Sequence, residues 1–450
     1  MEVITTRTPG LGDATYLLAH EGEALVIDPQ RDIGRFLDAA EHADVQVRYV
    51  LETHLHNDYV SGGRELARRT GAELVLPAGA GAAFAHTPAF HSEDLVAATM
   101  TVRPLHTPGH TPEHVSYLVL IAGEPVAVFT GGSLLVGAAG RTDLLGRARA
   151  RQLARLQYGS LQRLSALPAS TGVYPTHGAG SFCAASGAGQ TTSTIGEERD
   201  HSPVLAHPDA ETFADAQLAG LVPYPAYYAH MGPVNLMGPA PAPDLTVPVL
   251  SVAEVVTLHG EVGLVDVRPR EAYAAAHIPG ALNVELNDQF GVWVGWLLEW
   301  NRPLVLIADS DQDVEEAATQ LARIGFDDVR GVLRGIAPWQ RAQRATRSFD
   351  HATAEDFLAA GEGVQLLDVR APDEWDGGVI PGSLQRYVPD LVAGMPAGVD
   401  PARPVWIGCA SGHRASIAAG LVERHGLQPV VLADTGIPEL LERSARPAVA

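Results

Sequence analysis

Cysteine is nearly missing from this chain: Cys183 and Cys409 are the only two in 450 residues. That excludes a disulfide framework, and a reducing cytoplasm is the expected setting. Bases are scarce as well, 31 against 53 acids, which gives a formal charge of −22. No basic run exceeds a few residues, so neither nucleic acid nor an anionic membrane is an expected partner. The opening Met1-Glu-Val-Ile-Thr-Thr has no basic cluster and no apolar run, and no signal peptide is expected from it. The most apolar region, 115–140, is interrupted by Glu124, Pro125 and several glycines. It reads as two buried strands joined by a turn, not as a membrane span. What remains is room for two to four domains, each able to bury a core.

The first half is organised around Glu52-Thr-His-Leu-His-Asn-Asp-Tyr-Val-Ser-Gly62. An apolar run, 47–51, precedes this stretch as a buried strand, and 64–70 reads as a helix after it. His54, His56 and Asp58 therefore sit on a strand-to-helix loop. Alternate residues of an extended loop point the same way, so the spacing aims two imidazoles and a carboxylate at one place. Those donors suit zinc or non-haem iron. Further along, Thr107-Pro-Gly-His110 ends another strand with a tight turn that throws His110 outward, where a third ligand is wanted. His114 reads as a supporting residue. The Gly-rich segment 131–140 lets backbone approach the site, and His177 follows an apolar segment within reach of the same centre. Strands alternate with helices and hairpins throughout, the pattern of a layered α/β domain.

This set of residues, Thr53-His-Leu-His-Asn-Asp58, Thr107-Pro-Gly-His110, Gly140-Arg-Thr-Asp143 and Thr176-His-Gly-Ala-Gly180, resembles the metallo-β-lactamase superfamily, and most of all its persulfide dioxygenase branch. The resemblance implies an αββα sandwich over residues 1–240 with one Fe(II) at its open edge. In that branch iron is held by the first His of the pair, the Pro-Gly-His histidine and an Asp in a Thr-Gly-Asp motif. His54 and His110 match the first two, but Gly132 stands where the carboxylate belongs, and Tyr59 stands where many members carry another His. Three repairs are open: His56 completes a three-His site, Asp58 supplies the carboxylate, or the site is weak or empty. The favoured expectation is one metal ion held by His54, His110 and one of His56 or Asp58, with Fe(II) preferred and Zn(II) the alternative. Two His and one carboxylate form the triad suited to O₂ chemistry, which makes the missing Asp consequential.

From 220 to 247 the chain turns Pro- and Tyr-rich and reads as an extended connector whose tyrosines dock on a neighbouring domain. A repeat of domain size, about a hundred residues, follows: Leu264-Val-Asp-Val-Arg268 with His277-Ile-Pro-Gly280, then Leu367-Asp-Val-Arg370 with Val379-Ile-Pro-Gly382. Both copies resemble rhodanese domains, small α/β folds with a mostly parallel sheet. The second carries Cys409-Ala-Ser-Gly-His-Arg414, similar to the rhodanese active-site loop. Backbone N–H groups and a helix N-terminus around a sulfur favour thiolate, so Cys409 is expected as nucleophile and persulfide carrier, with Gly412, His413 and Arg414 binding the sulfur donor. The first copy has Asp309 at that place, and a carboxylate cannot carry sulfane sulfur.

The expected architecture is thus α/β multidomain: the sandwich over 1–240, a catalytically silent rhodanese-like domain over 241–346, and a rhodanese domain over 347–450. That order resembles a bacterial fusion of a persulfide dioxygenase with its sulfurtransferase. The resemblance implies oxidation of a low-molecular-weight thiol persulfide (glutathione, coenzyme A or similar) to sulfite, with sulfane sulfur moved through Cys409 to give thiosulfate. A zinc-dependent thioester hydrolase with a tethered sulfurtransferase is the alternative, and a scaffold in which only Cys409 works is a third. Homo-oligomerisation is left open. Cys183 reads equally as a sulfur relay or as a niche filler.

Overall fold

Strict side-chain alternation builds the first four layers. In the strand Asp13–His20, Tyr16 and Leu18 face one way and Leu17 and Ala19 the other. The computed structural model describes residues 1–184, 191–361 and 363–445. Its first sheet runs in chain order through Glu2–Thr8 (β1), Asp13–His20 (β2), Glu23–Ile27 (β3), Gln46–Leu51 (β4), Glu73–Pro77 (β5) and Thr87–Ala89 (β6). The second runs through Leu95–Ala97 (β7), Met100–His106 (β8), Val115–Ile121 (β9), Glu124–Gly131 (β10), Gly172–Pro175 (β11) and Ser193–Thr194 (β12). Tyr16, Leu18, Ile27 and Leu51 meet Val102, Tyr117, Val119 and Phe129 between the sheets. Each such buried side chain is worth roughly 1.5–3 kcal/mol.

The outward residues bury two helical layers. Leu17, Val26 and Val50 cover themselves with Phe36 of the helix Gly34–His42 (α1) and Leu66 of Gly63–Thr70 (α2). Leu118, Leu120 and Val128 pack on Leu161 and Leu164 of Arg147–Ser165 (α3). The result is the expected αββα sandwich. Loops at the ends of β2, β4, β8, β10 and β11 gather at one edge, and all the candidate metal ligands lie there.

Residues 220–247 depart from the expected extended connector. They contain an α-helix, Tyr228–Met237, with Pro233 inside it. Nor do the tyrosines dock on another domain: Tyr227 and Tyr228 are buried, and the Tyr227 hydroxyl donates to the Asp58 carbonyl at 3.0 Å. The Asn235 amide donates to the carbonyls of His56 (2.8 Å) and Tyr59 (2.9 Å). Tertiary contacts made here outweigh the ~3 kcal/mol that an interior proline costs a helix.

The chain forms two compact units, Met1–Asp244 with Thr319–Gly325, and Leu245–Ala318 with Phe326–Ala450. The second holds both repeats, each with an all-parallel sheet. One sheet orders Leu282–Asn283, Gly263–Asp266, Leu304–Ala308 and Val329–Arg334, and the other Asp350–Ala352, Pro429–Leu432, Val405–Gly408, Gln365–Asp368 and Leu384–Gln385. Asp309 and Cys409 each follow the equivalent strand. No helix among the described residues is long and apolar enough to cross a membrane.

Removing Asn235 leaves two buried carbonyls without a donor, at about 1–3 kcal/mol each. Asn235→Ala is therefore expected to destabilise the first unit by about 2–6 kcal/mol in urea unfolding. A shift below about 0.5 kcal/mol, the size of an ordinary surface substitution, would show that the helix does not brace the His loop.

Candidate metal centre and thiol loop

Three imidazoles converge at the sandwich edge. One ring nitrogen from each of His54, His110 and His177 lies within 4.8 Å of the other two, and all three rings are buried. In each, Nδ1 is engaged and Nε2 has no partner. His110 Nδ1–H donates to the Arg141 carbonyl at 2.8 Å. His177 Nδ1–H donates to Asp13 Oδ1 at 2.9 Å. For His54 the direction follows from its neighbour: the Thr53 hydroxyl gives its proton to Asp28 Oδ2 (2.7 Å), so it accepts from His54 Nδ1–H (2.9 Å). Every Nε2 lone pair is thereby left bare toward the centre. Burial, with neighbouring imidazoles, holds His54 and His110 well below the ordinary histidine range, and burial also lowers His177. Neutral imidazole is the form that binds a metal.

His56 does something else. Its Nε2 lies 3.1 Å from Glu52 Oε2 and 3.2 Å from Asp28 Oδ1. Burial alone would depress it, but the Asp28 and Glu52 carboxylates outweigh burial and hold it well above the usual value, as a cation. Asp28 stays charged despite burial because His56, Thr176 and Thr53 stabilise the carboxylate. His56 and Asp58 converge with His177 in a second set, which shares His177 with the set of His54 and His110. Burial pushes Asp58 and Asp13 each up to about 7, Asp58 with help from the adjoining Asp13 charge. His114 is fully engaged: Nδ1 pairs with the Thr107 hydroxyl (2.9 Å) and Nε2 accepts from Gly132 N–H (3.0 Å).

Gly132 has a steric reason to be glycine here. A Cβ at that position would stand 2.2 Å from His110 Cδ2, so the imidazole occupies the space a side chain would need. Arg141 anchors the other flank. It forks onto Asp143 (2.7 and 2.9 Å), donates to the Phe182 and Val222 carbonyls and stacks on Tyr224 at 4.3 Å. It fixes the carbonyl that accepts from His110 Nδ1–H and is not free to grip a substrate anion. Cys183 is fully buried, and burial, with Asp58 and Asp13, pushes its thiol well above the ordinary range. The donor set fits a single divalent first-row ion held by histidine nitrogen alone. Sequence spacing pointed to His54 and His110. It did not single out Asp13, whose hairpin lies far from the motifs in the chain.

In the second unit Cys409 is buried at the end of the strand Val405–Gly408. Gly412, at φ +83, turns the chain into the helix His413–Arg424 and gives its N–H to Cys409 Sγ at 3.1 Å. A Cβ on Gly412 would meet the Ala433 carbonyl at 2.5 Å, so only glycine closes the loop. Arg414 is paired with Glu374, one contact being 2.8 Å. Burial, then Arg270 and Arg414, lowers His413 to about 4, so its ring is neutral near pH 7 and its Nε2 is unpartnered. The first copy fills the equivalent loop with itself. Gln312 accepts from Asp309 N–H (2.9 Å) and donates to the Val267 carbonyl (2.7 Å), while Arg334 caps the Asp309 carbonyl (3.0 Å).

Residues 8–177 match the metallo-beta-lactamase superfamily, and 251–342 and 352–443 each match the rhodanese-like domain. A hydroxyacylglutathione hydrolase of Methylobacillus flagellatus is 34% identical over 167 residues, 36% of this chain. The chain spans between about half and three fifths of the length of such curated relatives (47%, 52% and 60%). A metallo-beta-lactamase structure from Staphylococcus aureus subsp. aureus COL is 28% identical, covers 74% of this chain and 99% of its own, and has a TM-score of 0.68. ETHE1 from Myxococcus xanthus is 31% identical over 52% of this chain and 98% of its own, at a TM-score of 0.45.

Because the His110 ring already fills the space beside position 132, restoring a carboxylate there is expected to harm the site. Gly132→Asp should bind zinc at least tenfold more weakly than the wild type in a chelator competition, a loss of about 1.4 kcal/mol. Tighter binding in that variant would mean that His110 has room to give way.

Proposed function

Since the chain belongs to the metallo-β-lactamase superfamily through its first domain and carries two rhodanese-like domains after it, we propose that it is a two-centre sulfur-handling enzyme. The first centre oxidises a low-molecular-weight thiol persulfide to sulfite. Cys409 moves sulfane sulfur. The observation that carries this reading is the presence on one chain of three bare, neutral imidazole nitrogens and a thiol inside a loop of backbone donors. The products and substrates of the two centres match: sulfite from the first accepts sulfur from the second.

His54, His110 and His177 would hold the ion. When bound, it would supply the Lewis-acid and, as iron, the redox chemistry that persulfide and O₂ require. The protein fixes the three tautomers in advance, and the burial of all three rings keeps bulk water away from them. A cavity of about 650 Å³ lies on the Arg141 flank, bordered by Arg141, Asp143, Arg147, Leu218, Leu221 and Tyr224, and would give room for the body of such a thiol. At the other centre the Cys409 thiolate attacks the outer sulfur of the thiol persulfide. The S–S bond of the donor breaks, the thiol leaves with its electron pair, and Cys409 keeps a persulfide. Gly412 N–H stabilises the sulfur anion before and after. Sulfite then attacks the outer sulfur of that persulfide, the S–S bond to Cys409 breaks, and thiosulfate and the Cys409 thiolate are released. A reducing cytoplasm is the compartment in which Cys409 remains a thiol.

A second reading, zinc-dependent thioester hydrolysis, is favoured by one observation. Three neutral imidazoles without a carboxylate at 132 form a donor set used by catalytic zinc. It leaves the thiol loop without a matching substrate.

Full-length protein loaded with iron should consume O₂ with glutathione or coenzyme A persulfide and release sulfite. Cys409→Ser should abolish thiosulfate formation and leave metal content unchanged. Absence of O₂ uptake by iron-loaded protein, together with thioester cleavage by zinc-loaded protein, would reverse the order of the two readings.

A further inference from the structure

The carboxylate missing at position 132 has a counterpart in the opposite wall of the site. Asp13 lies at the start of β2, is 3% exposed, and places Oδ1 2.9 Å from His177 Nδ1. Asp58 Oδ2 stands 3.3 Å from the same nitrogen. The two loops concerned are joined independently of these side chains. Ala14 N–H donates to the Thr176 carbonyl and Gly178 N–H to the Gly12 carbonyl, each at 2.8 Å. Gly12, at φ +72, lets the turn press so close that a Cβ would stand 2.1 Å from Ser181 N. The hairpin is built to bring a carboxylate against this one imidazole. His56, the other candidate third ligand, has its Nε2 between Glu52 and Asp28, while its Nδ1 faces Asp58 at 4.0 Å.

We propose that Asp13 is the positioning residue that makes His177 the third metal ligand, so that the negative charge lost from the ion's own ligands is supplied one hydrogen bond further out. The inference rests on the metal reading given above. Asp13 touches neither substrate nor ion. It acts through the His177 ring, fixing its rotation and its tautomer and raising the basicity of Nε2. Carboxylates that hold a ligand histidine in this manner typically account for 10–100-fold in metal affinity.

The test uses the full chain stripped of metal and titrated with Zn(II) against a chromophoric chelator, alongside thermal melting of the metal-free protein. Asp13→Ala is expected to weaken zinc 10–100-fold with an unchanged metal-free melting temperature, because the backbone bonds keep the loops together. Asp13→Asn retains an acceptor without the charge and is expected to fall between Asp13→Ala and the wild type. His177→Ala should lose at least as much affinity as Asp13→Ala. Wild-type affinity in Asp13→Ala overturns the inference. So does an affinity loss accompanied by a lower metal-free melting temperature, which would mark Asp13 as a structural residue only. Unaltered affinity in His177→Ala overturns it as well. A wild-type chain that takes up no zinc at all overturns the metal reading itself. A wild type that binds and an Asp13 series that does not respond overturns the inference alone.

Discussion

The imidazoles of His54, His110 and His177 face one another productively because each already donates its Nδ1–H in a hydrogen bond. The acceptors are a hydroxyl relayed to Asp28, the Arg141 carbonyl and the Asp13 carboxylate. Three buried, neutral rings with unused lone pairs would be costly in a protein that kept them empty, since a buried polar atom without a partner forfeits about 1–3 kcal/mol. Asp28 joins much of this together. It accepts from Thr53 N–H and its hydroxyl, and from the Thr176 hydroxyl, and it pairs with His56. It thus ties the loop after β4 to the loop after β11, which are brought together only by the sandwich.

The second unit shows the opposite solution in one fold used twice. In one copy the loop after the equivalent strand is closed by Gln312 and Arg334, and Asp309 stands where the other copy has its cysteine. In the other the same place is kept open for Cys409 by Gly412, whose positive φ aims its N–H at sulfur. Both copies keep the same internal ion pair, Asp266 with Arg268 and Asp368 with Arg370, each with a contact of 2.7 Å. The duplicated pair preserves the fold, while the thiol is confined to one loop.

Much of this was legible in the sequence because it is local. The run before Glu52, the His-x-His-x-Asp spacing and the Pro-Gly-His turn give strand, loop and ligand direction without further information. The helix read over 64–70 spans Gly63–Thr70, and a strand, Met100–His106, does end at the Pro-Gly-His turn. The repeated Asp-Val-Arg segments located both rhodanese copies, and Gly412 announced the thiol loop. What was not legible is non-local. Whether His56 turns to an ion or to Glu52 and Asp28 depends on a buried carboxylate of β3's end, outside any motif. The pairing of Asp13 with His177 joins residues 164 positions apart. Helix Tyr228–Met237 contradicts its own proline content, because packing on the His loop decides its conformation. The Arg414 side chain, with the look of an anion receptor, is claimed by Glu374 from the preceding acidic segment.

The central claim is that one cation is gripped by three imidazoles with no carboxylate from position 132. Crystals grown from metal-loaded protein, with diffraction recorded on both sides of the metal's absorption edge, locate that cation directly. The account predicts one anomalous peak about 2.0–2.3 Å from Nε2 of His54, His110 and His177. A peak seated among Asp28, Glu52 and His56, or a structure whose three rings surround only water, would contradict it.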